Sequence, residues 1–165
     1  MPEQGVRDQL IEAVRSFPIV RGAQPISSDR LHVTLLFLGN VDRNTFKCLE
    51  KKVVQTPMQS FTIQLDLYGH FKHSKAIWVG CSSCPSKLNR LVNYLKSIAV
   101  QSEINFNSSF YEPHVTLFKE VMLADFPSAP VLISWKVDKF YLVESIPHEN
   151  TTRYNKVASY RLMDD

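Results

Sequence analysis

At 165 residues, 44% hydrophobic and 21% charged, the chain has the composition of one globular domain with a buried core, 1–165. A net charge of +3 suits a phosphate-bearing ligand without being specific for one. No stretch approaches the roughly 20 apolar residues of a bilayer span, Met1 to Gly5 is no signal peptide, and three cysteines are too few for a disulfide framework. A cytoplasmic protein with reduced thiols is expected.

Taken in chain order, Val6, Leu10, Ile11 and Val14 recur at helical spacing, so Gly5 to Phe17 reads as an amphipathic helix. Residues 22–30, with Pro25 and two serines, read as a loop. The apolar run from Leu31 to Leu38, closed by Gly39-Asn40, predicts a strand. Asp42 is placed to cap a second helix bearing Phe46, Leu49 and Val53 on one face. Phe61, Ile63, Leu65 and Leu67 alternate with polar residues as in a half-buried strand. Gly69 to Ser74 then reads as a turn, and Lys75 to Cys81 as the returning strand. Pro85 falls in the first turn of a helix carrying Leu88, Leu91, Leu95 and Ile98. Residues 105–109 form a polar loop, and Pro113 starts a strand from His114 to Lys119. Trp135 to Ser145 and Asn155 to Leu162 are the last predicted strands. Mixed helices and closely connected strands predict an antiparallel α+β domain.

One tetrapeptide carries the functional argument. His-Val-Thr-Leu occurs at His32–Leu35 and again at His114–Leu117, an offset of 114 − 32 = 82 residues, about half the chain. By composition only roughly 0.2 His-x-Thr triplets are expected. The pair therefore looks like a duplicated unit with one histidine per half. On a strand, residues i and i+2 share a face, so His32 goes with Thr34 and His114 with Thr116. If the halves face each other, two imidazoles and two hydroxyls converge. The imidazoles, with an ordinary pKa near 6.5, take and give protons. The hydroxyls donate to phosphate oxygens. Opening a cyclic phosphate needs those two proton transfers and no cofactor or metal.

These motifs resemble those of the two-histidine (2H) phosphoesterases, in particular the bacterial LigT-like RNA 2′,3′-cyclic phosphodiesterases, also called 2′–5′ RNA ligases. Asp29-Arg-Leu-His-Val-Thr-Leu-Leu-Phe-Leu-Gly39 and Tyr111-Glu-Pro-His-Val-Thr-Leu117 are similar to the family's paired His-x-Thr-x segments. Gly69-His-Phe71 with Ile77-Trp-Val-Gly80 resembles its central hairpin, and Thr152-Arg-Tyr-Asn155 through Leu162 its closing strand. The resemblance implies two pseudo-symmetric lobes, each an antiparallel sheet with helices outside, and an active-site cleft between them. It implies hydrolysis of 2′,3′-cyclic phosphate ends to 2′-phosphomonoesters, with reverse ligation as a side activity. His32 would be the proton donor to the leaving 3′-oxygen and His114 the proton acceptor. The substrate would be RNA or a small cyclic nucleotide, and the protein a monomer without membrane attachment.

Phe118 shares strand parity with His114 and Thr116 and is a candidate for stacking a base. Phe71 is a candidate for the cleft mouth, and Lys119 and Arg153 for phosphate contacts. Tyr154 is a candidate on family position alone. LigT-like proteins usually open with a short apolar strand ending in Leu-Pro, whereas this chain starts at Met1-Pro2. Either the start is truncated or the lobe manages without that strand, and in its absence a sheet with an unpaired edge is expected.

Three rival readings carry less weight. Cys81-Ser-Ser-Cys84 is a CxxC ahead of a helix, but without βαβ surroundings it is a weak redox signal. His70 and His73 near it could be imagined as zinc ligands, though loop histidines are the commoner case. A non-catalytic RNA- or nucleotide-binding module on the same scaffold is the main alternative, against which both intact His/Thr pairs argue.

Overall fold

The computed structural model describes residues 1–18, 22–53, 58–106, 110–122, 125–149 and 151–164. In it, helix α1 (Gln4–Arg15) buries Val6, Leu10 and Ala13, the stripe that the apolar spacing predicts. A two-residue strand β1 (Gln24–Pro25) and a single 3-10 turn (Ser28–Arg30) interrupt the expected loop. Helix α2 (Arg43–Val53) starts where Asp42 predicts. The Asp42 carboxylate accepts from the backbone N–H groups of Asn44 and Thr45 at 2.9 and 3.1 Å. Those bonds hold its pKa below the ordinary carboxylate value, with the Thr45 hydroxyl as the leading cause. Helix α3 (Ser86–Gln101) buries Leu88, Leu91, Val92, Ile98 and Ala99, with Pro85 just outside its first turn rather than in it.

Eight strands make three antiparallel sheets among the described residues. One orders β1-β5-β4-β3, and the others pair β2 with β6 and β7 with β8. Strand β2 (Phe61–Leu65) alternates buried and exposed positions as expected. It stops at Asp66, whose carboxylate accepts from both the N–H and the hydroxyl of Ser82 at 2.7 Å. Leu67 belongs to the next strand and is 46% exposed. That strand, β3 (Leu67–Phe71), occupies half of the predicted turn, which is confined to residues 72–75. Strand β4 (Ala76–Gly80) is buried at all five positions. It lies between β3 and β5 with both faces covered, which explains its lack of alternation.

Strand β5 (His114–Lys119) has the predicted bounds. The carboxyl-terminal strands are β6 (Ile133–Val137), β7 (Lys139–His148) and β8 (Thr151–Arg161). The single strand expected over 135–145 is thus two, parted at Asp138. The polar run at 105–109 falls partly outside the described residues.

The run from Leu31 to Leu38 departs furthest from expectation. Only Val33 makes a bridge, to Val115. Val33 and Leu35 pack against the larger core with α1, β2, β4, β5 and β6. Leu36 and Leu38 pack against a second core formed by Leu49, Val53, Ile98, Ala99 and Ile104. The segment crosses from one core to the other, so neighbours rather than alternate residues are sequestered and no ladder propagates. The two cores share α3, whose Leu95 touches both.

Candidate active site

The bridge between Val33 and Val115 is antiparallel. In that register His32 falls opposite Thr116, and Thr34 opposite His114. All four flanking residues leave the face that Val33 and Val115 occupy. The two copies of the tetrapeptide are therefore joined back to back at their valines, about a local pseudo-twofold axis. Val115 is wholly buried, while Thr34 is exposed and His32, His114 and Thr116 are half-buried.

Each imidazole is fixed by the same device. His32 Nδ1 lies 2.6 Å from the Arg30 carbonyl and His114 Nδ1 lies 2.7 Å from the Glu112 carbonyl, in both cases two residues back. A carbonyl oxygen only accepts, so Nδ1–H is the donor in both rings. Nε2 is then the nitrogen that gains or loses a proton, whether the ring acts as acid or base.

The rings differ in what surrounds them. His32 meets Tyr154 edge-on, with centroids 4.9 Å apart. His114 meets Phe71 edge-on at 4.9 Å and Trp78 at 5.8 Å. Burial lowers the His32 pKa, the Arg30 carbonyl opposes the shift, and the nearby charges of the amino terminus, His114 and Lys119 assist it. His32 is therefore biased toward the neutral form.

Of the remaining candidates, Phe71 and Tyr154 flank the histidines. Lys119 is exposed, paired with Gln24, and within electrostatic reach of His32. Arg153 is exposed beside Tyr154 on β8, opposite Ile146. Phe118 is in the core instead, 8% exposed, with its ring edge-on to Phe17 at 5.2 Å. Its parity with His114 is broken by a bulge: Trp78 pairs with Thr116, but Ile77 pairs with Phe118. The extra residue turns the following side chain to the other face.

Sequence reasoning missed the carbonyl anchors and Trp78. No side-chain pattern signals the former. The latter is signalled by Gly69 and Gly80, glycines within strands, which commonly mark a close approach.

The rival chemistries find no support in the geometry. Burial raises both CxxC thiols, that of Cys81 to about 11, the reverse of a reactive thiolate. All three cysteines are unpaired. His70 Nε2 lies 3.1 Å from the Val121 carbonyl, and His73 is exposed in the turn. No three His, Cys, Asp or Glu side chains gather as a metal site among the described residues. No described helix is long and apolar enough to cross a membrane. A cavity of about 520 Å³ between α2, α3 and the β7–β8 hairpin holds neither motif, being lined by Glu50, Lys51, Tyr94, Phe140 and Tyr160 among others.

Comparison with known proteins identifies the family. The family model described as LigT-like phosphoesterase matches residues 1–78. An RNA 2′,3′-cyclic phosphodiesterase from Escherichia coli strain K12 is 31% identical over 95% of this chain and 90% of its own length. A protein of the same name from Bacillus subtilis strain 168 is 23% identical over 96% of this chain and 91% of its own. The crystal structure of E. coli LigT complexed with 3′-AMP is 28% identical, with a TM-score of 0.90, covering 98% of this chain and 94% of that one. The phosphate complex of the same protein gives 0.85 at 28% identity, covering 98% and 92%. With its antiparallel α+β architecture and its identity to a relative over nearly its whole length, this chain belongs to the LigT-like phosphoesterases.

Proposed function

We propose that this chain is an RNA 2′,3′-cyclic phosphodiesterase that hydrolyses cyclic phosphate ends to 2′-phosphomonoesters, with 2′–5′ ligation when an RNA 5′-hydroxyl attacks phosphorus in place of water. The observation that carries the reading is the pair of carbonyl-anchored histidines on either side of the Val33–Val115 bridge. The names of its relatives and the 3′-AMP and phosphate complexes of E. coli LigT support the same substrate class.

In this mechanism His114 Nε2 takes a proton from water, which attacks phosphorus. The bond from phosphorus to the 3′-oxygen breaks, and His32 Nε2 delivers its proton to that oxygen. The Thr34 and Thr116 hydroxyls donate to the non-bridging oxygens, whose charge grows in the transition state. Two imidazoles supply both proton transfers, so the step needs no metal. A bound phosphodiester anion counteracts the bias of His32 toward neutrality and loads it with its proton. Phe71 and Tyr154 line opposite sides of the site, with Lys119 and Arg153 reaching the flanking phosphates. One single-domain chain supplies every group, so a monomer suffices. Its unpaired cysteines suit the reducing cytoplasm.

The test is incubation with 2′,3′-cyclic AMP and with a short RNA ending in a 2′,3′-cyclic phosphate, in EDTA, beside His32→Ala and His114→Ala. A 2′-phosphate product from the parent protein alone is expected. Ligand binding without turnover by the folded parent protein would make it a binding module and sink the proposal.

A further inference from the structure

The carbonyl of Glu112 fixes one nitrogen of His114 but leaves the ring free to swing about that bond. Two aromatic side chains close the remaining freedom. Phe71 lies 4.9 Å from the imidazole and 5.2 Å from the Trp78 indole, and the indole lies 5.8 Å from the imidazole. Each ring of this triangle touches the other two. Strand register brings them together: Trp78 pairs with Gly69 on one side and with Thr116 on the other, and Gly80 pairs with His114.

The sequence makes room for the indole at two places. A Cβ on Gly69 would overlap Cζ2, Cε2 and Cη2 of the Trp78 ring. A Cβ on Gly80 would come within 2.8 Å of both Trp78 Cζ3 and the Pro113 carbonyl. No other side chain is tolerated at Gly69 unless the indole moves, nor at Gly80 unless the indole and the Pro113 carbonyl both give, and the indole is 6% exposed. The arrangement is held despite a cost. Trp78 Nε1 is buried without a hydrogen-bond partner among the described residues, a loss that phenylalanine would avoid.

Building on the reading of His114 as a catalytic base, we propose that Trp78 is the positioning residue for its imidazole. Trp78 acts through the ring and not on the substrate. Its indole, seated on Gly69 and Gly80, is a wall of fixed height that aims His114 Nε2, and Phe71 closes the other side. The two glycines are then specificity elements for the wall rather than turn residues.

The experiment pairs Gly69→Ala with the compensating double variant Gly69→Ala/Trp78→Phe, and follows turnover of 2′,3′-cyclic AMP alongside the histidine ring NMR signals. Gly69→Ala should lower kcat by about 10- to 100-fold, as a displaced catalytic group does, with KM within about twofold. The His114 ring resonances should shift while those of His32 stay. The smaller ring of the double variant should recover most of the lost kcat and return the His114 signals toward their parent positions. Should Gly69→Ala fail to fold, Trp78→Phe alone decides: it should lower kcat severalfold and move only the His114 signals. Unchanged kcat with unmoved His114 signals in a folded variant would overturn the proposal, as would a double variant no better than the single. If the parent protein itself turns over no cyclic nucleotide, the reading of the reaction fails, while the His114 signals still decide this one.

Discussion

The two copies of His-Val-Thr-Leu share their residues and their carbonyl anchors but not their surroundings. The second copy opens a six-residue strand paired along β4, with Val115 and Leu117 wholly buried. The first rests on one bridge, with Val33 and Leu35 only partly buried. His114 is walled by rings from its own sheet, and His32 by Tyr154 from the β7–β8 hairpin. Identical local sequence therefore yields identical hydrogen bonding, because that depends on the chain two residues back. It yields different packing, because packing depends on what the rest of the fold presents. The shared chemistry and the unshared packing are separable by mutation.

The largest expected effects test what is shared. His32→Ala and His114→Ala should each lower kcat on 2′,3′-cyclic AMP by about 10²- to 10⁴-fold, the usual worth of a general acid or base. Because the two act in one step, the double variant should lose far less than the product of the single losses. Initial rates on the three proteins check this. A variant that keeps parental activity would show that the matched anchors do not mean matched roles.

Packing is tested at equivalent positions of the two copies. Leu117→Ala removes a fully buried side chain and should cost about 2–5 kcal/mol. Leu35→Ala, at a half-buried site, should fall clearly below that range, because less apolar area leaves water on folding there. Urea denaturation of both variants measures the difference. Equal losses would mean that the first copy is as firmly built into the core as the second.

How much of this the sequence disclosed follows the same division. The meeting of the two histidine motifs was legible because their duplication is a local pattern. β5 was legible to the residue because Pro113, the alternation and a full partner strand agree. The run from Leu31 to Leu38 misled because its apolar residues serve two cores, a fact that resides in α2 and α3 and not in the run. Phe118 misled because parity counting assumes an unbroken ladder, and the bulge opposite Ile77 and Trp78 is invisible in the residues themselves. Gly69 was read as a turn because glycine favours both turns and close approaches. Only the indole lying over it separates the two.

A subtler asymmetry concerns charge. Burial is the leading cause of the lowered His32 pKa, and Tyr154 is part of what buries the ring. Tyr154→Ala should admit water and raise the His32 pKa toward the ordinary 6.5. NMR titration of the His32 ring reads this directly. A His32 pKa that stays low would transfer the cause to the neighbouring positive charges of the amino terminus, His114 and Lys119.

The smallest effect is on stability, and its sign follows from the same shift. A histidine whose pKa is lowered on folding binds fewer protons in the native than in the unfolded state between the two pKa values. Its stabilising contribution is therefore complete above about pH 6.5, the unfolded value, and is lost as pH falls through the folded one. His32→Gln removes the titration while keeping a polar side chain of similar size. The parent protein should lose more stability than His32→Gln between pH 7 and pH 5, measured as the change in urea midpoint over that interval. Carboxylates titrating in the same window are common to both proteins and cancel in the difference. If the two pH profiles run parallel, His32 has the same proton affinity folded and unfolded. The two halves of the site would then differ in packing alone and not in charge.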